Sequence, residues 1–218
     1  MIQLRKAGLV ADAEDVKRLR SIFELTHFVR LQSLLDPQLL SLALSYIEQG
    51  NWRENVVIGS VSYSEYILEI GAAVNLLLFV SNSPRFLETI IEITGCKSLT
   101  LFEGRVYRME PNIVHDKKWH SDNVDNRLIG MSVNLSPLGY QGGLFQMREQ
   151  SSHRMLVEIA NTGPGDAILF RLSGDFQHRV TEVQTGGPKT AFAGWFSTKE
   201  SLKERLSHKK IDSTAKCL

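Results

Sequence analysis

Cysteine is scarce: Cys96 and Cys217 are the only two in 218 residues. They make neither a disulfide framework nor a CxxC zinc pattern, and the default expectation is a reduced, cytoplasmic protein. A surplus of either charge is missing too. With 25 Lys and Arg against 24 Asp and Glu, the formal net charge is +1, so no general attraction to nucleic acid or to a membrane is expected. No aromatic–basic platform for single-stranded nucleic acid is visible. Long apolar runs are absent as well. The longest, Ile67 to Val80, is interrupted by Glu69 and Asn75 and falls short of the ~20 predominantly apolar residues of a membrane span. The opening Met1-Ile2-Gln3-Leu4-Arg5-Lys6 lacks the apolar core of a signal peptide, and no repeat or low-complexity tract occurs.

What remains is an ordinary globular composition, 43% hydrophobic and 22% charged. The length suits one large domain or two small ones. Residues 1–97 read as mostly helical. Ala11 to Leu25 has apolar residues at helical spacing, and Phe28 to Leu34 reads as a short strand. Asp36-Pro37 starts a helix with a cap and a proline together, and Gly50 stops it. Asn51 to Ser60 reads as a loop and Ser64 to Phe79 as a buried apolar helix. Ser83-Pro84 opens another helix, which Gly95 closes. From about Ser98 the pattern changes to short β-rich runs separated by turn residues. They are Leu99–Met109, Arg127–Leu135, Gly143–Arg148, Met155–Ile159, Ala167–Phe170, Gln177–Val183 and Thr190–Phe196. Strands at this spacing suggest a sandwich or barrel. The expectation is therefore a single domain of α+β class: helical support over 1–97, a β-sandwich core over 98–198, and a charged tail over 199–218, helical to about His208.

The chemistry-bearing stretch is Trp119-His120-Ser121-Asp122-Asn123. A lone histidine is ordinarily a surface or satisfied core residue, but His120 has Asp122 two positions on. In an extended strand, side chains at i and i+2 leave the same face, so an imidazole and a carboxylate there can hold one metal ion. His178, in Phe176-Gln177-His178-Arg179-Val180, is the best candidate for a third ligand. Two histidines and one carboxylate on one face of a metal make the facial triad of non-haem Fe(II) oxygenases. HxD alone is a weak signal. HxD, a β-rich segment to a third ligand, and then a basic residue opening the last strand at Lys189 is much more specific.

On these residues, the segment from Arg105 to Phe196 resembles the core of the Fe(II)/2-oxoglutarate-dependent oxygenases, its prolyl-hydroxylase-like members in particular. The resemblance implies a double-stranded β-helix (jelly roll) with N-terminal supporting helices. It implies His120, Asp122 and His178 as iron ligands and Lys189 as the cation facing the distal carboxylate of 2-oxoglutarate, assisted by Asn134 or Tyr107. The implied cofactors are Fe(II), 2-oxoglutarate and O2, with ascorbate as a further candidate. The implied reaction is decarboxylation of 2-oxoglutarate to succinate coupled to oxidation of a substrate C–H bond. The presence of Asp122 favours hydroxylation or a related oxidation over halogenation.

Trp119, Arg127, Arg148 and Tyr140 are candidate substrate residues, with Arg171 as a further carboxylate clamp. The loop Ser136 to Gly142, which contains Tyr140, reads as a lid or a plain hairpin loop. Three functions stay open: oxidation of a small metabolite or amino acid, the same chemistry on a protein side chain, and a cupin-type metal-binding jelly roll without a co-substrate. A small-molecule substrate, with no nucleic-acid or membrane partner, is the leaning; the oligomeric state is not readable from the sequence.

Overall fold

The computed structural model describes residues 1–57, 63–111, 113, 118–124, 126–160 and 162–199. The expected tail helix and most of the charged loop His115-Asp116-Lys117-Lys118 lie outside the described residues.

The chain opens with a hairpin, β1 (Ile2–Arg5) and β2 (Gly8–Ala11), and continues into α1 (Ala13–Thr26). Asp12 caps α1 by accepting the N–H groups of Glu14 and Asp15. β3 (Phe28–Leu31) leads to α2 (Pro37–Glu48). There Asp36 Oδ1 accepts the Leu39 N–H at 2.7 Å while Pro37 occupies the first turn. β4 (Trp52–Val57) and β5 (Tyr63–Leu68) form a second hairpin, followed by α3 (Ala72–Ser81) and α4 (Pro84–Thr94). Gly95 ends α4 in the left-handed region at φ 69°.

The first half is thus mixed rather than mostly helical. The stretch expected as a loop is β4, and the single buried helix expected from Ser64 is β5 and then α3. The reason is a long-range partner. β5 pairs with β4 from Trp52↔Leu68 to Val57↔Tyr63, and Tyr66 and Ile67 pair with Arg108 and Tyr107. Tyr66 and Ile67 suit a pleated surface. Gly71, in extended backbone, then separates strand from helix as the N-cap of α3.

The second half is all strand: β6 (Leu101–Met109), β7 (Arg127–Asn134), β8 (Tyr140–Gly142), β9 (Phe145–Glu149), β10 (Met155–Ile159), β11 (Ala167–Arg171), β12 (Phe176–Val180), β13 (Val183–Gly186) and β14 (Lys189–Ser197). A seven-stranded sheet runs β3-β11-β7-β14-β6-β5-β4; a three-stranded sheet, β10-β9-β12, and the pair β13-β8 complete the β-structure. This is the double-stranded β-helix, with helices packed on the outer face of the large sheet.

The alternation of β14 sorts the two faces. Phe192 and Phe196 point to the helices, where Phe102 meets them at ring-centroid distances of 5.4 and 4.6 Å. Lys189, Ala191, Ala193 and Trp195 are the opposite set. Across the ladders Ala191 faces Tyr107 and Asn134, and Ala193 faces Arg105 and Ser132. These residues line the inside of the roll, beside a second core that includes Phe145, Met147, Ile168 and Phe170.

Candidate metal centre

His178 sits mid-strand in β12, which pairs with β9 on one side. On its other side an isolated antiparallel bridge joins it to His120. His120 N–H donates to the His178 carbonyl at 3.2 Å, and His178 N–H returns the bond at 2.8 Å. Residues directly opposite in an antiparallel pair present their side chains to the same face. The two imidazoles therefore lie together, with centroids 4.4 Å apart.

Asp122 reaches them by another route. The expected extended strand through 120–122 does not form, since after the bridge the chain turns, with Asn123 N–H on the Ser121 carbonyl at 2.6 Å. The carboxylate is set instead by Trp195, whose indole N–H donates to Asp122 Oδ2 at 2.7 Å. Asp122 Oδ1 then stands 3.9 Å from His120 Nε2, and Oδ2 stands 3.5 Å from His178 Nε2. One ligand atom from each of the three residues lies within 4.8 Å of the others.

The chemistry of this donor set fits a divalent transition metal. Two imidazole nitrogens and one carboxylate suit Fe(II). His120 Nδ1 is 2.8 Å from the Lys118 carbonyl, which can only accept; Nδ1 therefore carries the proton and Nε2 offers its lone pair. Asp122 is held ionised. Burial alone would raise its pKa, but the bond from His178, the nearby imidazoles and the Trp195 N–H together pull it down to about 2. His178 is packed against Phe170 at 4.7 Å. Gly130 makes room for that ring, because a Cβ there would sit 2.2 Å from it.

The centre opens into a cleft of about 480 Å³, whose walls include Arg105, Tyr107, Lys118, Arg127, Ser132, Phe145, Val180 and Trp195. Ser132, Phe145 and Val180 also border a small inner cavity that reaches Asn134, Tyr140, Thr162 and Lys189. Lys189 is buried, its ammonium donating to the Gly143 carbonyl and lying 5.6 Å from the Tyr140 ring centroid. Tyr140 thus stands at the Lys189 end, away from the cleft mouth, and burial pushes its pKa up to about 12. Asn134 is at the same end, but its carboxamide already serves the backbone, donating to the Thr162 carbonyl and accepting from Ser136 N–H. Tyr107 is buried with its hydroxyl bonded to Ser132, and burial raises its pKa.

The candidate substrate residues divide. Arg127 lines the cleft, lying over the Trp195 ring at 3.8 Å. Trp119 borders the cleft, but Arg148 and Arg179 also cover its ring at 4.3 and 4.6 Å. Arg148 is not brought to the cleft: Gln177 accepts from its guanidinium, and alternation along β9 turns it away from Phe145 and Met147. Arg171 lies on the helical side, over Phe23. Trp195 and Arg105 were not singled out from the sequence. Both share the parity of Lys189 and Tyr107 on their strands, and that alternation is the signal that points to them.

Residues 105–197 match a family model, that of the 2OG-Fe(II) oxygenase superfamily. No curated protein matches the chain. Among solved structures, an oxidoreductase of the 2OG-Fe(II) oxygenase family from Burkholderia pseudomallei superposes with a TM-score of 0.68 at 12% identity, covering 88% of this chain and 95% of that one. A Pseudomonas putida prolyl-4-hydroxylase gives 0.62 at 18% identity, over 84% of this chain and 99% of that one. The alpha ketoglutarate dependent epimerase SnoN from nogalamycin biosynthesis gives 0.65 at 14% identity, over 85% and 84%. SnoN has also been solved with Fe3+ and alpha ketoglutarate. These likenesses concern the fold. The matched segment holds nearly all of β6 through β14 and every residue of the centre, and over that segment the chain is similar to the 2OG-Fe(II) oxygenase superfamily, a likeness that points to Fe(II) and 2-oxoglutarate as cofactors.

Proposed function

We propose that the protein hydroxylates an unactivated C–H bond of a small molecule, with His120, Asp122 and His178 holding Fe(II) and Lys189 receiving the distal carboxylate of 2-oxoglutarate. The observation that carries this reading is the convergence of two imidazoles and an ionised carboxylate in the same roll interior that buries a lysine behind them. When bound, Fe(II) and 2-oxoglutarate supply the oxidising chemistry: substrate C–H, O2 and 2-oxoglutarate give C–OH, succinate and CO2, one oxygen atom entering the alcohol and the other the succinate.

The chain's own residues do the rest. His120 offers Nε2, His178 would offer its Nε2 on giving up the proton it shares with Asp122, and Asp122 stays anionic and brings the negative charge a divalent ion requires. Trp195 N–H fixes the carboxylate plane, so less motion is lost when the ion arrives. Lys189 provides a point charge rather than a fork, which leaves room for a second donor on the same carboxylate. Tyr140, un-ionised over the working pH range, is that donor. Phe145 and Val180, which border both the cleft and the inner cavity, and Phe170 in the cleft give apolar walls, which keep the charged contacts strong.

Anaerobic titration of the Fe(II)-loaded protein with 2-oxoglutarate tests this. A weak visible absorption band should appear in the wild type and be lost in His178→Ala. Lys189→Met should weaken 2-oxoglutarate while leaving Fe(II) affinity unchanged. A wild type without the band, or a Lys189→Met variant that binds 2-oxoglutarate normally, would remove the reading.

A further inference from the structure

The chain as a whole is balanced, with 25 basic and 24 acidic residues. The cleft is not. Among the described residues, its charged walls are Arg105, Lys118 and Arg127 against one acid, Asp122, which belongs to the metal centre. We infer that the substrate carries a carboxylate, held in the cleft between Arg127 and Arg105. This rests on the oxygenase reading above and names its substrate class.

Arg127 is fixed next to the centre. Its guanidinium lies 3.8 Å over the Trp195 ring, and the same indole bonds Asp122. One indole thus carries this cation on its face and the Asp122 carboxylate at its edge. Its Nε is buried without a hydrogen-bond partner, and among the described residues no acid answers its charge. A guanidinium held flat by an aromatic face keeps its edge for a planar, two-oxygen partner.

Arg105 is arranged differently and to the same effect. Glu65, on β5 behind it, accepts from one terminal nitrogen at 2.6 Å. The Glu65 side chain is 0% exposed and that of Arg105 43% exposed. The acid is therefore a buried strut, and the rest of the guanidinium faces the cleft. Arg105 lies across from Ala193, one same-face position from Trp195, or roughly 7 Å along the strand. Ala193 and Gly194 keep the floor between the two arginines low. Lys189 is behind the shared wall in the inner cavity, so the site has two separate cationic ends, one for each of two anions.

The test uses the Fe(II)- and 2-oxoglutarate-loaded protein and reads succinate release with the free amino acids and simple mono- and dicarboxylic acids, each beside its primary amide. Acids should stimulate release and their amides should not. For the best acid, Arg127→Gln and the double variant Arg105→Gln/Glu65→Gln, which leaves no unpaired buried acid, should each raise KM by about tenfold or more. Both should leave anaerobic 2-oxoglutarate affinity within about twofold, because Lys189 serves that anion. Arg127→Lys should fall between, keeping charge without the fork. Amides as effective as acids, the absence of any acid-specific stimulation, unchanged KM in both variants, or a loss of 2-oxoglutarate affinity matching that of Lys189→Met would each overturn the inference. Failure of the oxygenase reading looks different: the wild-type visible band with 2-oxoglutarate would itself be missing.

Discussion

The indole N–H of Trp195 orients the Asp122 carboxylate before any ion binds. Trp195→Phe keeps a ring for Arg127 to lie on and removes only that donor. Hydrogen bonds to a ligand typically matter about 10–100-fold in metal affinity, so Mn(II) titration of Trp195→Phe should show a loss of that order with little change in thermal stability. An unchanged Kd would mean that the bond is incidental. A second residue-level effect lies away from the centre. His27 ends α1 at φ 66°, packs tilted against the Phe176 ring at 4.6 Å and has a buried Nδ1 without a partner. Burial first, and then the charge of Arg171, lower its pKa below 6.5. Between the folded value and 6.5 the unfolded chain binds more protons, so this contribution to stability is complete above pH 6.5 and is lost as pH falls. The urea midpoint should decline on acidification below that point, and His27→Asn, which tolerates the left-handed backbone, should flatten the decline.

At the scale of elements, the turn between β8 and β9 shapes the Lys189 end. Gly143 has φ +59°, and a Cβ on it would stand 2.9 Å from the Tyr140 ring and 3.0 Å from Lys189 Cδ. Gly143→Ala therefore combines backbone strain with a shifted lysine. Its 2-oxoglutarate affinity should drop while its Mn(II) affinity holds, measured by paired titrations; equal losses would tie the turn to the whole centre instead. Of the strands around this end, β9 and β14 were legible in the sequence because turn residues bound them, whereas β8 fell within an expected loop, and the single strand expected over Gln177–Val183 breaks after Val180 into β12 and β13. β10 occupies the expected Met155–Ile159, and β14 begins at Lys189, one residue before the expected run. β4 and β5 were not legible. β4 read as a loop and β5 as the start of a helix; what makes β5 a strand is the edge of β6, distant in sequence, and β4 then pairs with β5. The pairing of His120 with Asp122 was anticipated from strand geometry, yet it is made by a bridge to His178 and a bond from Trp195, neither of which is local in sequence. Arg105 escaped notice for the same reason: its neighbours Ala193 and Glu65 follow from register.

At the scale of the molecule, one sheet serves both the helical core and the centre. β14 sends Phe192 and Phe196 into the helix-facing core and Lys189 and Trp195 into the roll. His120 and His178 belong to the opposite sheet edge and meet the large sheet through Asp122 and Trp195. An ion held by these residues ties the two sheets together, so it should stabilise the chain as a whole rather than one loop. For a ligand at about 100 times its Kd the gain is about 2.7 kcal/mol, which corresponds to a Tm rise of roughly 5–10 °C for a chain of this size. Scanning calorimetry with Mn(II) should show that rise in one transition, and chelation should reverse it. Adding 2-oxoglutarate should raise Tm further only when Mn(II) is present, as expected of a dicarboxylate that, in the proposed arrangement, both the ion and Lys189 would hold. In Lys189→Met the Mn(II) shift should persist and the second shift should vanish. A 2-oxoglutarate shift of equal size without metal, or one that survives in Lys189→Met, would mean that the dicarboxylate binds elsewhere, and the arrangement of ion in front and ammonium behind would have to be abandoned.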